Sequence, residues 1–279
     1  MKLPISVLIM TFNEELNIVR CIKSVIDNFS QVIVVDSFSS DNTKNIIQDF
    51  ANVKLYENKF THWADQRNWM LENCHIDNEW VFFLDADESI TQDFFEELWQ
   101  KFSSKNPDIT SFFVNKDLYF LGKNIRRAYS HPKIRLIFCR VGLTYHAEGA
   151  REYATIEGES GEIHTPLIHE DLRPFNHWVT KHLKNAEREK NLFLAPKENS
   201  AESISLPVLL RLRKAIRVQI YNKLPLVLRP LVNFSYRYFI KLGILDGVPG
   251  LLYCFNQALW YEYVIVIKIL EEKRRLNNE

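Results

Sequence analysis

The first hundred residues alternate between two patterns of apolar positions. Four short, mostly apolar runs are typical of strands in a parallel sheet, and the continuous run at residues 80–84 is typical of one that is buried on both faces. These runs lie at residues 5–10, 32–35, 53–56 and 80–84. Between them, apolar residues such as Ile18, Cys21 and Ile22 recur at three- and four-residue spacing, which predicts helices with one apolar face. This alternation indicates right-handed βαβ units, and therefore an α/β fold with a mostly parallel central sheet flanked by helices.

Polar side chains follow the ends of these predicted strands. Thr11 and Asp36 follow the first two, and the carboxylates of Asp85, Asp87 and Glu88 follow the fourth. In open α/β sheets, ligands bind at the carboxyl ends of the strands. Two aspartates on alternate residues could share a divalent cation with the phosphate oxygens of a ligand. An acidic turn before a helix is the alternative, because a helix N-terminus favours carboxylates.

Two helix starts are predicted from capping residues. Asn13 can cap a helix that carries Glu14 and Glu15 in its first turn. Thr91 can cap a later helix, which has Phe94 on its apolar face. The first prediction places the helix directly after the first strand.

Glycine is absent from the first 121 residues, which make up nearly half of the chain. The protein has 8 glycines, and the first of them is Gly122. A dinucleotide-binding Rossmann domain and a P-loop NTPase both need glycines early in the fold, where backbone amides approach phosphates. If this half binds a nucleotide, the phosphate charge must be met in another way, and a cation held by Asp85 and Asp87 is the candidate.

The pattern is weaker in the middle of the chain. Further strands are predicted at residues 111–114, 118–121 and 135–138, and a turn-rich segment at residues 149–165, where glycines recur. Residues 175–193 show a helical pattern. We therefore predict a catalytic domain over residues 1–195 and a linker over residues 196–205.

The last part of the chain, residues 206–279, predicts a basic helical extension. It contains twelve Lys and Arg against five Asp and Glu, although the whole chain has a formal net charge of zero. Basic residues interleaved with apolar ones at helical spacing favour association with an anionic membrane surface over nucleic acid. The longest apolar stretch, residues 248–270, carries Glu262 and Lys268, so we do not predict a transmembrane span. Amphipathic helices packed on the domain are the alternative.

The cysteines and the N-terminus favour the cytoplasm. The four cysteines are scattered, with no metal-binding spacing, as expected for reduced thiols. The apolar run at residues 5–10 is too short for a signal sequence, so no export is expected.

Four motifs together resemble glycosyltransferase family 2. They are residues 6–15, residues 34–43, Gln66-Arg67-Asn68 and residues 84–88, and their order and spacing agree with that family. The resemblance implies the GT-A fold and a nucleotide-activated sugar as donor. The segment His169-Glu170-Asp171 and the tail resemble a bacterial subgroup that builds lipopolysaccharide core, capsule or exopolysaccharide at the inner membrane. That likeness implies a peripheral protein on the cytoplasmic face of the inner membrane.

The resemblance also implies roles for individual residues. It implies a nucleotide-sugar-binding set made up of Thr11, Asn13, Glu14, Asp36, Arg67 and Asp85. Asp87 would ligate Mg²⁺ or Mn²⁺, Asp85 is a further candidate beside it, and His169 would approach the metal or support the base. Asp171 would be the catalytic base. The chain departs from the family at Phe38, where the family usually has a glycine.

The predicted reaction is an inverting, metal-dependent transfer of one sugar to a glycan or glycolipid acceptor. A cation would stabilise charge on the leaving diphosphate, and a separate carboxylate would deprotonate the acceptor hydroxyl. UDP is favoured as the nucleotide because it is common in the family. The alternatives are a sugar-1-phosphate nucleotidyltransferase, whose glycine-rich loop is missing after the first strand, and an inert membrane-bound scaffold of the same fold.

Overall fold

The structure of the protein is a computed structural model. The residues that it describes are 2–104, 108–129, 135–140, 144–148, 151–155, 158–195 and 223–278. Contacts between residues divide the chain into two compact units. The first unit comprises Met1–Arg126 and Ser130–Phe175, and the second comprises Arg127–Tyr129 and Asn176–Glu279.

The first unit is built on a nine-stranded sheet. The strands of this unit are β1 (Leu3–Thr11), β2 (Phe29–Asp36), β3 (Val53–Glu57), β4 (Trp80–Asp85), β5 (Glu88–Ser89), β6 (Ile109–Phe120), β7 (Lys123–Asn124), β8 (Arg135–Arg140), β9 (Thr144–Glu148), β10 (Arg151–Thr155) and β11 (Glu159–Glu170). Its helices are α1 (Ile18–Val25), α2 (Thr43–Gln48), α3 (Trp63–Asn73) and α4 (Gln92–Ser103). The order across the sheet is β3-β2-β1-β4-β8-β6-β11-β5, with β7 beside β6, while β9 and β10 form a separate antiparallel pair.

The predicted parallel sheet is confirmed in β3, β2, β1 and β4, which run parallel to one another. Both faces of this part are covered. Val7 and Ile9 of β1 belong to a core cluster with residues of α1 and α4, whereas Leu8 belongs to a second cluster with residues of α3. The apolar runs of the central strands are nearly continuous for this reason. β8 is antiparallel to its neighbours β4 and β6, so the sheet is mixed beyond β4.

The middle of the chain differs from the prediction. A single strand, β6, replaces the two predicted at residues 111–114 and 118–121. The segment at residues 149–165 was predicted to be rich in turns. Most of its described residues belong instead to β11, which pairs in parallel with β6. Gly161 accounts for part of the error. A Cβ atom there would lie 2.8 Å from the ring of Phe112, so glycine is required by close strand packing and not by a turn.

The prediction that Asn13 caps the first helix is wrong. Helix α1 begins at Ile18, and Asn13 adopts the left-handed conformation with φ 53°. The amides of Asn17 and Ile18 both donate to the carbonyl oxygen of Glu14 at 2.9 Å, so a turn precedes the helix. The predicted cap at Thr91 is confirmed, because its hydroxyl accepts from the amide of Phe94 at 3.2 Å.

The second unit is helical. Its elements are α5 (Phe175–Leu194, which begins at the last residue of the first unit), a 3₁₀ turn (Leu226–Leu228), α6 (Arg229–Ser235), a π-helical turn (Tyr236–Ile240), a 3₁₀ turn (Gly243–Asp246), α7 (Gly247–Cys254), a π-helical turn (Phe255–Trp260) and α8 (Tyr261–Leu276). Lys268 of α8 and Glu187 of α5 form an ion pair of 2.7 Å. Among the described residues, no single helix is long and apolar enough to span a bilayer. Two segments bent by 70°, Leu226–Ile240 and Gly243–Leu276, meet the length and composition requirement only when they are taken together.

The predicted domain boundary stays a prediction. Helix α5 matches the helix predicted at residues 175–193, but it groups with the second unit and not with the sheet. The predicted linker at residues 196–205, and the extension as far as residue 222, lie outside the described residues.

Candidate functional site

The sheet brings the predicted site residues to one edge. Thr11, Asp36 and Asp85 are the last residues of β1, β2 and β4, where Thr11 pairs with Asp36 and Met10 pairs with Asp85. On the other side of the sheet, β11 ends at Glu170 and pairs with β5. That pairing places His169 opposite Glu88, which is about eighty residues earlier in the chain.

Asp36 is fully buried and bonded within its own turn. Its Oδ1 accepts from the amide of Ser39 at 2.7 Å, and its Oδ2 accepts from the Ser39 hydroxyl at 2.5 Å. This turn holds Phe38 at φ 61°, with its ring 55% exposed. The left-handed conformation suits glycine, and it costs other residues about 1–2 kcal/mol. Phe38, which stands where the family usually has a glycine, therefore occupies a position whose backbone conformation favours glycine.

Asn13 joins the loops after β1 and β2. Its Oδ1 accepts from the amide of Ser40 at 2.8 Å, and its own amide donates to the Ser39 hydroxyl at 2.8 Å. The hydroxyl of Thr11 is buried and has no hydrogen-bond partner among the described residues. Asn13 therefore orders the loops, and the Thr11 hydroxyl is a buried polar group at the strand end whose hydrogen-bonding capacity is unused among the described residues.

Asp85 lies between two cationic side chains. Arg67 is 1% exposed, and its Nη2 lies 3.3 Å from Asp85 Oδ1. Lys116 of β6 lies 3.6 Å from Asp85 Oδ2 and also pairs with Glu88. Burial lowers the pKa of Lys116, and the charges of Asp85 and Asp87 only partly oppose that effect. The carboxylate of Asp85 is thus balanced by the protein itself.

Asp87, Glu88 and His169 form a group that could hold a metal ion. One ligand atom from each lies within 4.8 Å of the others. His169 Nδ1 is 3.4 Å from Asp87 Oδ1 and makes no hydrogen bond within the described part of the chain. Two carboxylates and an imidazole without a hydrogen-bond partner at Nδ1 are a donor set that fits a divalent cation. Asp85, the other metal candidate, lies outside this group.

Arg173 connects three carboxylates of the site. Its Nε lies 2.8 Å from Asp171 Oδ1, and its Nη2 lies 2.7 Å from Asp171 Oδ2. Its Nη1 lies 2.6 Å from Glu14 Oε1, and Nη2 also lies 3.9 Å from Asp87 Oδ2. Asp171 and Asp87 therefore share one guanidinium group, and both oxygens of the predicted base are already hydrogen-bonded.

The acidic groups of the site differ in how easily they ionise. Burial, together with the nearby charge of Asp87, raises the pKa of Glu14 to about 8, although Arg173 opposes the shift. Burial would also raise the pKa of Asp171, but the hydrogen bonds and charge of Arg173 outweigh it and hold that pKa below its ordinary value. Asp171 is consequently ionised at neutral pH, whereas Glu14 is largely protonated.

Polar residues at the start of α1 position the acidic loop, and the sequence reasoning missed them. Asn17 Nδ2 donates to Glu14 Oε2 at 2.7 Å and to Asp171 Oδ1 at 3.1 Å. Arg20 pairs with Glu170 at 2.7 Å and donates to the carbonyl oxygen of Asp87 at 3.2 Å. The only signal for them was two polar residues at three-residue spacing where the helix begins.

Comparison with known proteins decides the family. The sequence model described as glycosyl transferase family 2 matches residues 6–148, which is more than half of the chain. The chain belongs to glycosyl transferase family 2. The family predicted from the four motifs is therefore confirmed, and with it the glycosyltransferase class of enzyme.

Two curated relatives show how far the likeness extends. The chain is 40% identical over 81 residues to the SPbeta prophage-derived glycosyltransferase SunS of Bacillus subtilis (strain 168), covering 28% of the chain and 19% of SunS. It is 27% identical over 178 residues to the lipopolysaccharide core biosynthesis glycosyltransferase LpsC of Rhizobium meliloti (strain 1021), covering 60% of the chain and 63% of LpsC. The chain thus spans less than two thirds of the length of either relative.

A solved structure supports the fold. Residues 1–349 of S. aureus TarS, in complex with UDP-GlcNAc, resemble this chain with a TM-score of 0.51 and 15% sequence identity. The alignment covers 99% of this chain and 92% of the TarS chain. The predicted GT-A fold is confirmed.

Proposed function

We propose that the protein transfers one sugar from a nucleotide-diphosphate donor, favoured to be a UDP-sugar, to a hydroxyl group of a bacterial surface glycan or glycolipid. The observation that carries the proposal is the meeting of two carboxylate sites at the carboxyl edge of the sheet. Asp87, with His169 and Glu88, provides the cation ligands, and Asp171 provides a separate base. Thr11, Asp36 and Arg67 lie at the same edge, where the nucleotide would bind.

The cation, when bound, would neutralise the charge that develops on the departing diphosphate. Carboxylate oxygens suit both Mg²⁺ and Mn²⁺, and the imidazole of His169 favours Mn²⁺ of the two. Asp87 and His169 would be its main ligands, because Glu88 already pairs with Lys116 and accepts from the amide of Asp85 at 3.0 Å.

Asp171 would accept the proton of the acceptor hydroxyl. As the hydroxyl oxygen bonds to the anomeric carbon, the bond from that carbon to the diphosphate breaks, and its electron pair leaves with the diphosphate. Attack from the face opposite the leaving group inverts the anomeric carbon. Nη2 of Arg173 donates one hydrogen bond to Oδ2 of Asp171, and a carboxylate oxygen has two lone pairs, so Oδ2 can still accept the proton of the acceptor hydroxyl.

The proposed class of acceptor is supported by a curated relative, and the proposed class of donor is supported by a solved structure of the same fold. LpsC is named for lipopolysaccharide core biosynthesis, which supports a surface-glycan acceptor. TarS of the same fold was solved with UDP-GlcNAc, which supports a UDP-sugar donor.

A thermal-shift screen of sugar nucleotides, each with Mn²⁺ or with a chelator, tests this proposal. We expect one UDP-sugar to raise the Tm of the protein, and the cation to enlarge that increase. Asp87→Asn should lose the cation-dependent part, while Asp41→Asn, a change in a loop carboxylate outside the metal group, should keep it. An equal Tm increase in the presence of a chelator would contradict the metal site.

A further inference from the structure

Residues 236–248, from the end of α6 to the first turn of α7, include many exposed apolar side chains. The most prominent are Tyr236, Phe239, Ile240, Leu242, Leu245 and Val248. Ile240 is 72% exposed and Val248 is 69% exposed, whereas Arg237 and Lys241 of the same segment are half-buried. We call residues 236–248 the apolar bend. Folded monomers rarely expose so many neighbouring apolar groups unless a partner covers them.

The apolar bend is held in shape from its inner side. Asp246 is buried, and its Oδ2 accepts from the amides of Arg127 at 2.9 Å and Ala128 at 2.8 Å. A Cβ atom on Gly243 would lie 2.8 Å from the carbonyl oxygen of Arg237, and one on Gly250 would lie 2.5 Å from that of Gly243. The exposed side chains therefore project from a tightly packed turn of the second unit.

Most charged residues near the apolar bend are basic, although Glu262 accepts a hydrogen bond from Asn233, the residue that accepts from Arg237. Between residues 223 and 261 the chain carries four basic residues: Lys223, Arg229, Arg237 and Lys241. The one acidic residue in that range, Asp246, is buried and bonded to backbone amides. Apolar side chains rimmed by basic ones match the boundary between anionic headgroups and acyl chains.

We propose that the apolar bend inserts into the interfacial layer of an anionic lipid bilayer, with the neighbouring basic side chains contacting the headgroup phosphates. Arg237 and Lys241 lie within the apolar bend, and charged side chains are costly in the bilayer core, so a position at one interface is favoured over a broken span through the bilayer. This inference deepens the proposed function, because a glycolipid acceptor lies at such a surface. It also narrows the predicted membrane-associating extension of residues 206–279 to one segment.

Sedimentation of the full-length protein with vesicles tests the proposal. Vesicles of phosphatidylethanolamine with phosphatidylglycerol should bind the protein, and vesicles of phosphatidylcholine should bind it more weakly. The double variant Ile240→Ser/Val248→Ser should weaken binding to the anionic vesicles at least tenfold. These positions are exposed, so the fold should be retained, which circular dichroism would check.

The matched control is Ile267→Ser/Leu270→Ser, which changes two exposed apolar residues of α8 outside the apolar bend. It should bind vesicles as the wild type does. Equal binding by the wild type and the Ile240/Val248 variant would overturn the proposal. A second outcome would also overturn it: light scattering shows that the wild type is a dimer, the wild type does not bind vesicles, and the variant is a monomer. The apolar bend would then be an interface between two copies of the chain.

Nucleotide binding measured without vesicles keeps this test separate from the proposed function. The Ile240/Val248 variant should retain the Tm increase caused by a UDP-sugar with Mn²⁺. Vesicle binding without any nucleotide binding would count against the proposed function and leave the membrane contact standing.

Discussion

Replacing Glu14 with glutamine should reduce the stability that the metal-free protein loses as the pH becomes alkaline. The carboxyl group of Glu14 is 8% exposed, and burial together with the charge of Asp87 raises its pKa from an ordinary 4.5 to about 8. A raised carboxyl pKa means that the folded state binds the proton more tightly than the unfolded state. The stability that this gives is complete below pH 4.5 and is lost as the pH rises through 8.

The size of this effect follows from the two pKa values. At about 1.4 kcal/mol for each pH unit between 4.5 and 8, the ceiling is about 5 kcal/mol of unfolding free energy. Glutamine resembles the protonated carboxyl group and can still accept the hydrogen bond from Asn17, but its amide nitrogen then faces Nη1 of Arg173, which lowers the unfolding free energy by a similar amount at every pH. We therefore expect the unfolding free energy of Glu14→Gln, relative to that of the wild type, to rise by several kcal/mol between pH 5 and pH 9.

Urea denaturation across that pH range, with a chelator present, measures the difference. Glu15→Gln is the matched control, since Glu15 is an exposed carboxylate in the same loop. It should follow the wild-type curve in shape. Parallel curves for the wild type and Glu14→Gln would refute the reasoning, because they would mean that Glu14 ionises alike in the folded and unfolded states.

Three further predictions concern the backbone, the strand packing and the arginine of the site. Phe38→Gly should leave the unfolding free energy unchanged or raise it by up to about 1 kcal/mol, because φ 61° favours glycine. Phe38→Val should lower the unfolding free energy by about 1–2 kcal/mol, and urea titration of the two variants measures the difference. Gly161→Val should cost about 1–3 kcal/mol through the contact with Phe112, and a loss below 0.5 kcal/mol (about the scatter of surface changes) would contradict the packing. Arg173→Met should raise the pKa of Asp171, so the acidic limb of the pH–rate profile should move to higher pH; an unmoved limb would show that Arg173 does not control the base.

Strands β1, β2 and β4 could be predicted because they are central in the sheet and covered on both faces, whereas β3 lies at the sheet edge and is only half-buried. The runs of the central strands are almost wholly apolar, and helices such as α1 show a clear apolar face. The helix start at Asn13 was wrong because Asn13 and the following turn are ordered by Ser39 and Ser40, which lie about twenty-six residues away. Strand β11 was missed because its glycine and its polar residues resemble a turn until its pairing with β6 is known.

The site was predictable where it lies at strand ends. Asp36, Asp85 and Asp87 follow apolar runs, so their position at one edge follows from a parallel sheet. Arg173 and Lys116 were not predictable, since neither belongs to a motif or to a periodic pattern. Each forms an ion pair in the site with a carboxylate from a different part of the chain, Lys116 with Glu88 and Arg173 with Glu14.

The most direct test of the central claim is the release of nucleoside diphosphate from the preferred UDP-sugar in the presence of Mn²⁺. The wild type should release the nucleoside diphosphate. Asp171→Asn should bind the donor with unchanged Kd, but it should release the nucleoside diphosphate at least about a hundredfold more slowly, because a general base usually contributes a factor of that size. Asp87→Asn should instead lose the cation-dependent part of donor affinity. Release by Asp171→Asn at the wild-type rate would contradict the assignment of Asp171 as the base that completes a metal-assisted sugar transfer.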